Sequence, residues 1–174
     1  KVRKFLGQYS QYSSRYELYL KGNTPNWCRT EFANGALVDL GIYPLSLITA
    51  LWGKPTSTFA SGIKLATGVD GAGDLILTYH SAENIKQAVI SYSKICNGDN
   101  ISEFQGELGR IEIEFVALLM KITLILNDGT KEIISKPFDD NSMRFELHHF
   151  ISLLEEGKTE SQINSFEFSE QMMA

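Results

Sequence analysis

Of 174 residues, only four are proline, three histidine and two cysteine. Each scarcity excludes something. Two cysteines far apart, Cys28 and Cys96, cannot make the dense disulfide framework of a small secreted domain, and a chain of this length has no need of one. Two reduced thiols and a reducing, cytoplasmic setting are the expectation. The histidines do not assemble a metal site on paper: His148 and His149 are adjacent and diverge on a helix, and His80 stands at a strand end. Basic residues are outnumbered, 16 against 21 acidic, for a net charge of −5. The one basic cluster, Lys1, Arg3 and Lys4, is too short to track a phosphate backbone, so nucleic acid is not an expected partner. Apolar runs fall short of a bilayer span, so no membrane is expected. No apolar secretory core follows the basic start.

What is present is ordinary for a globular chain: 43% hydrophobic and 21% charged residues, enough for one core. Val2 to Leu20, aromatic and polar with four tyrosines, reads as one long strand. Lys21-Gly22-Asn23-Thr24-Pro25 breaks it. Asn34 is placed to cap a helix from Gly35 to Gly53, with Leu37, Leu40, Leu47, Ile48 and Leu51 at helical spacing. Pro44 predicts a kink or break inside it. The period then becomes two. Thr56–Ala66, Asp74–Tyr79, Lys86–Ile95, Ser102–Glu107, Arg110–Phe115, Lys121–Leu126 and Thr130–Ser135 read as strands, the last two joined at Asn127-Asp128-Gly129. Ser142–Glu156 and the segment from Phe166 read as helices. The sum is α+β: one large, mostly antiparallel open β-sheet with helices packed on one face. Lys1 opens in a strand-like run and Gln171 to Ala174 lies in a helix-like one, so the expectation is a fragment of a longer chain.

Asp39-Leu40-Gly41-Ile42-Tyr43 is the segment with chemistry in it. Residues four apart share a helix face, so Asp39 and Tyr43 point the same way. A carboxylate beside a phenol can bind a hydroxyl and move its proton. A phenol titrates near 10 in water, about three units above neutral, so a nearby cation that favours the phenolate would assist. The spacing alone equally fits a solvated Asp and a core-anchored Tyr.

The run Asn34-Gly35-Ala36-Leu37-Val38-Asp39-Leu40-Gly41-Ile42-Tyr43-Pro44 resembles the Gly-Gly-Ala-Leu-x-Asp-x-Gly-x-[Tyr/His] signature of the Gfo/Idh/MocA oxidoreductases. Its Tyr-Pro form is closest to the dihydrodiol dehydrogenase-like branch. Gly68-Val69-Asp70, Gln105-Gly106-Glu107-Leu108-Gly109-Arg110-Ile111, Phe145 to Phe150, Glu155 to Ser161 and Phe166 to Met173 resemble later pieces of the same family, in order. The resemblance implies that residues 1–174 are the substrate-binding and dimerisation C-terminal domain, with the N-terminal dinucleotide-binding domain missing. It implies an NAD or NADP cofactor in the full-length protein, a sugar, cyclitol or similar hydroxy or carbonyl substrate, and a homodimer or higher oligomer through the sheet face. Tyr43 would be the acid–base and Asp39 would orient it or the substrate, helped by a lysine from the missing domain. By proximity alone, Asn26, Trp27 and Arg29, just before that helix, and Arg15, on the first long strand, are candidates to line the substrate pocket, with plain surface charge the alternative for Arg15 and Arg29. Phe115 is a further candidate, the one aromatic present where the branch has several, which points away from an aromatic diol.

The sequence departs from the family in one large respect: no Gly-x-Gly-x-x-Gly links a strand to a helix. Gly68 to Gly73 is glycine-rich but leads into a strand, without the helix N-terminus that a phosphate needs. Ser135-Lys136-Pro137 is a late near-miss for the family's Glu-Lys-Pro and reads as a strand exit. The cofactor site is therefore expected outside this chain. Two non-enzymatic readings stand beside the dehydrogenase: a non-catalytic ligand sensor, and a stand-alone dimerisation module of the same fold.

Overall fold

Period-two alternation of inward and outward side chains decides most of this molecule. In a computed structural model that describes residues 1–81, 84–137 and 141–173, the strands are β1 (Val2–Ser10), β2 (Ser57–Lys64), β3 (Asp70–Ser81), β4 (Asn84–Ser93), β5 (Ile101–Gly106), β6 (Gly109–Glu114), β7 (Lys121–Leu126) and β8 (Lys131–Ile133). They form one eight-stranded sheet in the order β2-β3-β4-β1-β5-β6-β7-β8. Neighbours are antiparallel except β1 and β4, which run parallel, with Leu6 beside Val89. The expected mostly antiparallel sheet is therefore observed, with β1 inserted at its middle.

Alternation sends Phe5 and Tyr9 of β1, Leu75, Leu77 and Tyr79 of β3, and Ala88, Ile90 and Tyr92 of β4 to one face, where they are buried. The helix α2 (Ile42–Trp52) lies on that face, and its Leu45 and Ile48 join Ala36 and the strand residues in the main core. The last helix, α4 (Phe166–Met173), reaches α2 through Met172, whose Sδ accepts a hydrogen bond from Ser46 Oγ at 3.1 Å. The helix α3 (Met143–Glu155) is amphipathic but has no buried residue. Among the described residues no helix is seen packed on the opposite face of the sheet.

Two local expectations are corrected. Residues Val2–Leu20 do not make one strand: β1 stops at Ser10, and Tyr16–Leu20 form a short helix, α1. The aromatic content that favours a strand is used instead in packing. Tyr16 and Tyr19 stack at 5.7 Å beside a second small core of Trp27, Cys28, Leu65 and Val69. Tyr19 also accepts a hydrogen bond from the Ala66 amide at 2.9 Å. Asn34 does not cap the following helix. Its side-chain amide donates to the Asn26 carbonyl at 3.0 Å, and the Leu37 amide donates instead to Asp70 Oδ2 at 2.7 Å, a cap supplied from β3.

The kink expected at Pro44 takes a specific form. Residues Leu37–Gly41 are wound as a π-helix that runs straight into α2. A proline ring crowds the carbonyl four residues earlier, here Leu40, and a wider turn relieves it. Taken as one helical run, Thr30–Trp52 has the length and mean hydropathy, 1.5, of a membrane span. Ala36, Leu40, Leu45 and Ile48 are nevertheless buried in the protein's own interior.

Candidate functional site

The site is built where three segments meet: the chain leaving β1, the chain leaving β4 and the π-helical turn before α2. Both strands end side by side, since Ser10 pairs with Ser93 in the parallel ladder. The π turn fits against them because Gly41 has no side chain. A Cβ there would lie 2.9 Å from Tyr92 Cδ1 and 2.9 Å from Leu37 Cδ1. Gly35 has the same role earlier, because a Cβ at that position would collide with the Asp70 carboxylate that holds the Leu37 amide. Two of the motif's glycines are thus explained by close approach.

Asp39 lies on the π turn and Tyr43 in the first turn of α2. Both are exposed, Tyr43 at 43% and the Asp39 side chain at 56%. Tyr43 rests edge-on against Tyr9 with ring centroids 5.4 Å apart. Tyr9 in turn meets Phe115 edge-on at 5.1 Å. The Tyr9 hydroxyl donates to Gln11 Oε1 at 3.3 Å. Burial, and then the nearby Tyr43, holds the Tyr9 phenol above its ordinary range, so Tyr9 is a neutral partner. Phe115 adopts a left-handed φ of 50° as the chain leaves β6, and this turn brings its ring to Tyr9.

Asp39 has a partner that sequence reasoning did not single out. Lys94, just beyond β4, donates from Nζ to Asp39 Oδ2. The Lys94 side chain is only 11% exposed, and its ammonium lies 5.2 Å from the centroid of the Trp27 ring. Burial, and then the positive Arg15, pulls the Lys94 ammonium below its ordinary range. Asp39, Lys94, Gln11, Tyr12 and Ser13 face a surface hollow of about 340 Å³. The signal for Lys94 was in the sequence. Ala88, Ile90, Tyr92 and Lys94 share one phase of the alternation, so a lysine stands in an inward position.

The remaining candidates divide. Arg15 is exposed beside the hollow, close enough to act on Lys94. Trp27 is buried beneath Lys94, and its indole N–H has no hydrogen-bond partner among the described residues. Asn26 is exposed, with its carbonyl accepting from Asn34. Arg29 is spent on its own loop: Nε donates to the Thr24 carbonyl at 2.9 Å, and the guanidinium reaches Glu31 at 3.4 Å. The structure thus brings Tyr43, Asp39, Arg15, Trp27 and Phe115 to one region, with Asn26 and Arg29 on the flanking loop.

Gly68 turns the chain at φ 95° and β3 begins at Asp70, so the glycine-rich segment leads into a strand and offers no phosphate cradle. Among the described residues no three His, Cys, Asp or Glu side chains converge as a metal site. His149 Nε2 is instead hydrogen-bonded with Ser161 Oγ at 2.8 Å. Chemically, the region offers a solvent-facing phenol and a carboxylate, with a buried cation behind the carboxylate and an aromatic wall beside the phenol.

Comparison with known proteins bears on the family and the fold. Residues 1–112 match the GFO/IDH/MocA C-terminal domain. The scyllo-inositol 2-dehydrogenase (NADP(+)) IolU of Bacillus subtilis (strain 168) is 38% identical over 97% of this chain and 50% of its own. Trans-1,2-dihydrobenzene-1,2-diol dehydrogenase of Xenopus tropicalis is 30% identical over 84% of this chain and 46% of its own. An aldose-aldose oxidoreductase from Caulobacter crescentus superposes with a TM-score of 0.74 at 17% identity, covering 99% of this chain and 50% of its own. At that identity the likeness speaks for the fold. The chain spans about half the length of the curated relatives it matches.

Proposed function

The chain belongs to the GFO/IDH/MocA family, as its C-terminal domain, and from that premise we propose that it is the substrate-facing half of an NAD(P)-dependent oxidoreductase acting on a cyclitol, sugar or similar polyol. The observation that carries this reading is the exposure of both Asp39 and Tyr43 on one helical run, with Asp39 also lining a hollow beside Gln11, Tyr12, Ser13 and Lys94. The named activity of one relative, a scyllo-inositol 2-dehydrogenase, supports a polyhydroxylated substrate.

In the oxidative direction the substrate hydroxyl gives its proton to the Tyr43 phenolate oxygen, regenerating the phenol, as the carbon gives up hydride. In the reductive direction Tyr43 returns that proton to the carbonyl oxygen. Asp39 accepts a hydrogen bond from a substrate hydroxyl and fixes which carbon is presented. A nicotinamide dinucleotide, when bound, takes or supplies the hydride. Chain beyond this segment would hold it, in keeping with relatives about twice this length. Two further readings belong to the proposal. The open sheet face supports a homodimer, and the free thiols Cys28 and Cys96 support a reducing, cytoplasmic compartment.

The test uses the full-length protein with scyllo-inositol and either NADP or NAD. Tyr43→Phe is expected to lower kcat about 100-fold or more, the usual size of an acid–base contribution, with the fold unchanged by circular dichroism. Undiminished turnover removes Tyr43 from that role. Ligand binding by the wild type without any turnover would instead make the protein a sensor.

A further inference from the structure

We propose that Lys94 is a positioning residue of this site: it holds one carboxylate oxygen of Asp39 so that the other is presented to a substrate hydroxyl. This rests on the reading of Asp39 and Tyr43 as the substrate-facing pair.

The argument begins with the backbone. Lys94 is fixed on both sides, its amide donating to the Gly71 carbonyl at 2.8 Å and its carbonyl accepting from the Ser13 amide at 2.9 Å. Its side chain continues the inward phase of Ala88, Ile90 and Tyr92 and is nine-tenths buried. An ammonium in that position is costly unless it is met by an opposite charge. Two groups meet it. The Trp27 ring lies 5.2 Å away, a cation–π distance, and Asp39 Oδ2 accepts from Nζ. The other charged group close by, Arg15, is of the same sign. Asp39 therefore supplies the one negative charge in the set.

The exposures of the two partners give the pair a direction. Lys94 is anchored and Asp39 is half-exposed, so the lysine positions the aspartate. A flexible carboxylate on a surface turn would sample several rotamers. With Oδ2 bound from below, the carboxylate plane is set, and Oδ1 accepts no hydrogen bond among the described residues. That oxygen is the one available to the hollow, where Gln11, Tyr12 and Ser13 add further polar groups. An anchored acceptor selects a hydroxyl by position, which suits a substrate bearing several similar hydroxyls. The expected signature is in substrate binding first, with proton transfer by Tyr43 affected less.

The experiment uses the full-length protein and has two arms. In the first, lysine labelled with 13C at Cε is followed by NMR through a pH titration, with Lys94→Arg identifying the Lys94 signal. Asp39→Asn is expected to lower the Lys94 midpoint by about one unit or more, the usual effect of losing an adjacent opposite charge. An unmoved midpoint overturns the proposal, whether or not the protein turns over. In the second arm, Lys94→Met is expected to raise KM for scyllo-inositol about 10- to 100-fold, the loss of one hydrogen bond to a charged group, with a smaller fall in kcat. Lys94→Arg should recover part of that loss. Methionine in place of a buried ion-pair cation is compatible with folding, and thermal melts check it. An unchanged KM in Lys94→Met, when Tyr43→Phe abolishes turnover, overturns the proposal alone. Wild-type turnover by Tyr43→Phe overturns the parent reading of the site.

Discussion

Tyr79 is a tyrosine that gains nothing from its hydroxyl. The group is buried with no hydrogen-bond partner among the described residues, and burial pushes its phenol up to about 12. Tyr92 is pushed up to about 12 as well, by burial first and then by Asp70 and Asp74 beside it. In both, the folded pKa lies above the unfolded value of about 10. The folded state therefore keeps these protons when the unfolded chain begins to lose them. The stability linked to them is complete below a pH of about 10 and falls as pH rises toward 12. Urea unfolding across that window should show midpoints dropping with pH, and the drop should be shallower in Tyr79→Phe. At neutral pH the same substitution should be neutral or should stabilise by up to about 1 kcal/mol, because it removes a buried polar group that has no partner. A clear loss of stability at neutral pH would mean that the hydroxyl has a partner.

At this scale the sequence is a partial guide. Asp39 and Tyr43 could be named because the Asp-x-Gly-x-Tyr run resembles a family signature; their helical spacing alone left a solvated Asp and a core-anchored Tyr open. Phe115 could be named only from family resemblance, since its place beside Tyr9 depends on a left-handed turn. Lys94 was hidden inside a strand assignment, and only the phase of the alternation distinguishes it from a surface lysine. Arg29 carries the right charge in the right neighbourhood, yet its guanidinium is held by Thr24 and Glu31.

Among the elements, the strands were legible because a half-buried sheet imposes its period on the sequence. The start of the helical run was not. An N-terminal cap is normally sought one residue before the helix, and Asn34 stands there. The actual cap is Asp70, distant in sequence and placed by β3. Gly35 and Asp70 therefore form a pair, a gap and the carboxylate that fills it. Asp70→Ala should destabilise the protein by about 0.5–2 kcal/mol, the range for losing a capping side chain, read as a lower urea midpoint. Because the π turn carrying Asp39 begins at the capped residue, a KM increase should accompany it. Asp70→Asn, which keeps an acceptor, should cost less. The helix α1 failed for a related reason: its aromatic residues favour a strand locally, and the cluster around Trp27 and Leu65 overrides that preference.

Across the whole molecule, one sheet face is covered by helices and, among the described residues, the other is not. On the open face the exposed apolar residues Phe59, Ile101 and Ile133 alternate with the ion pairs Arg110–Glu112 and Lys121–Glu114. A face of mixed charge can complement a second copy of itself, and this face is where the proposed self-association would occur. Light scattering on the full-length protein is expected to give a homodimer or a higher oligomer. Phe59→Asp combined with Ile133→Asp should shift it toward monomer. A monomeric wild type would remove this reading. The sequence could count the strands but could not order them, since no local pattern says that the first strand pairs with the fourth and fifth.

That ordering has a consequence for how the protein is made. β2 to β4 and β5 to β8 are each runs of chain neighbours, able to zip together soon after they leave the ribosome. β1 precedes the other strands of this sheet along the chain, yet its two partners, β4 and β5, come much later. Closing such long loops costs entropy that grows with the logarithm of their length, and contacts of this kind slow folding. Until then β1 has two unpaired edges, a template for another nascent chain. The strand that joins the two halves of the sheet is therefore its most exposed segment during synthesis, and the place where a chaperone has most to protect.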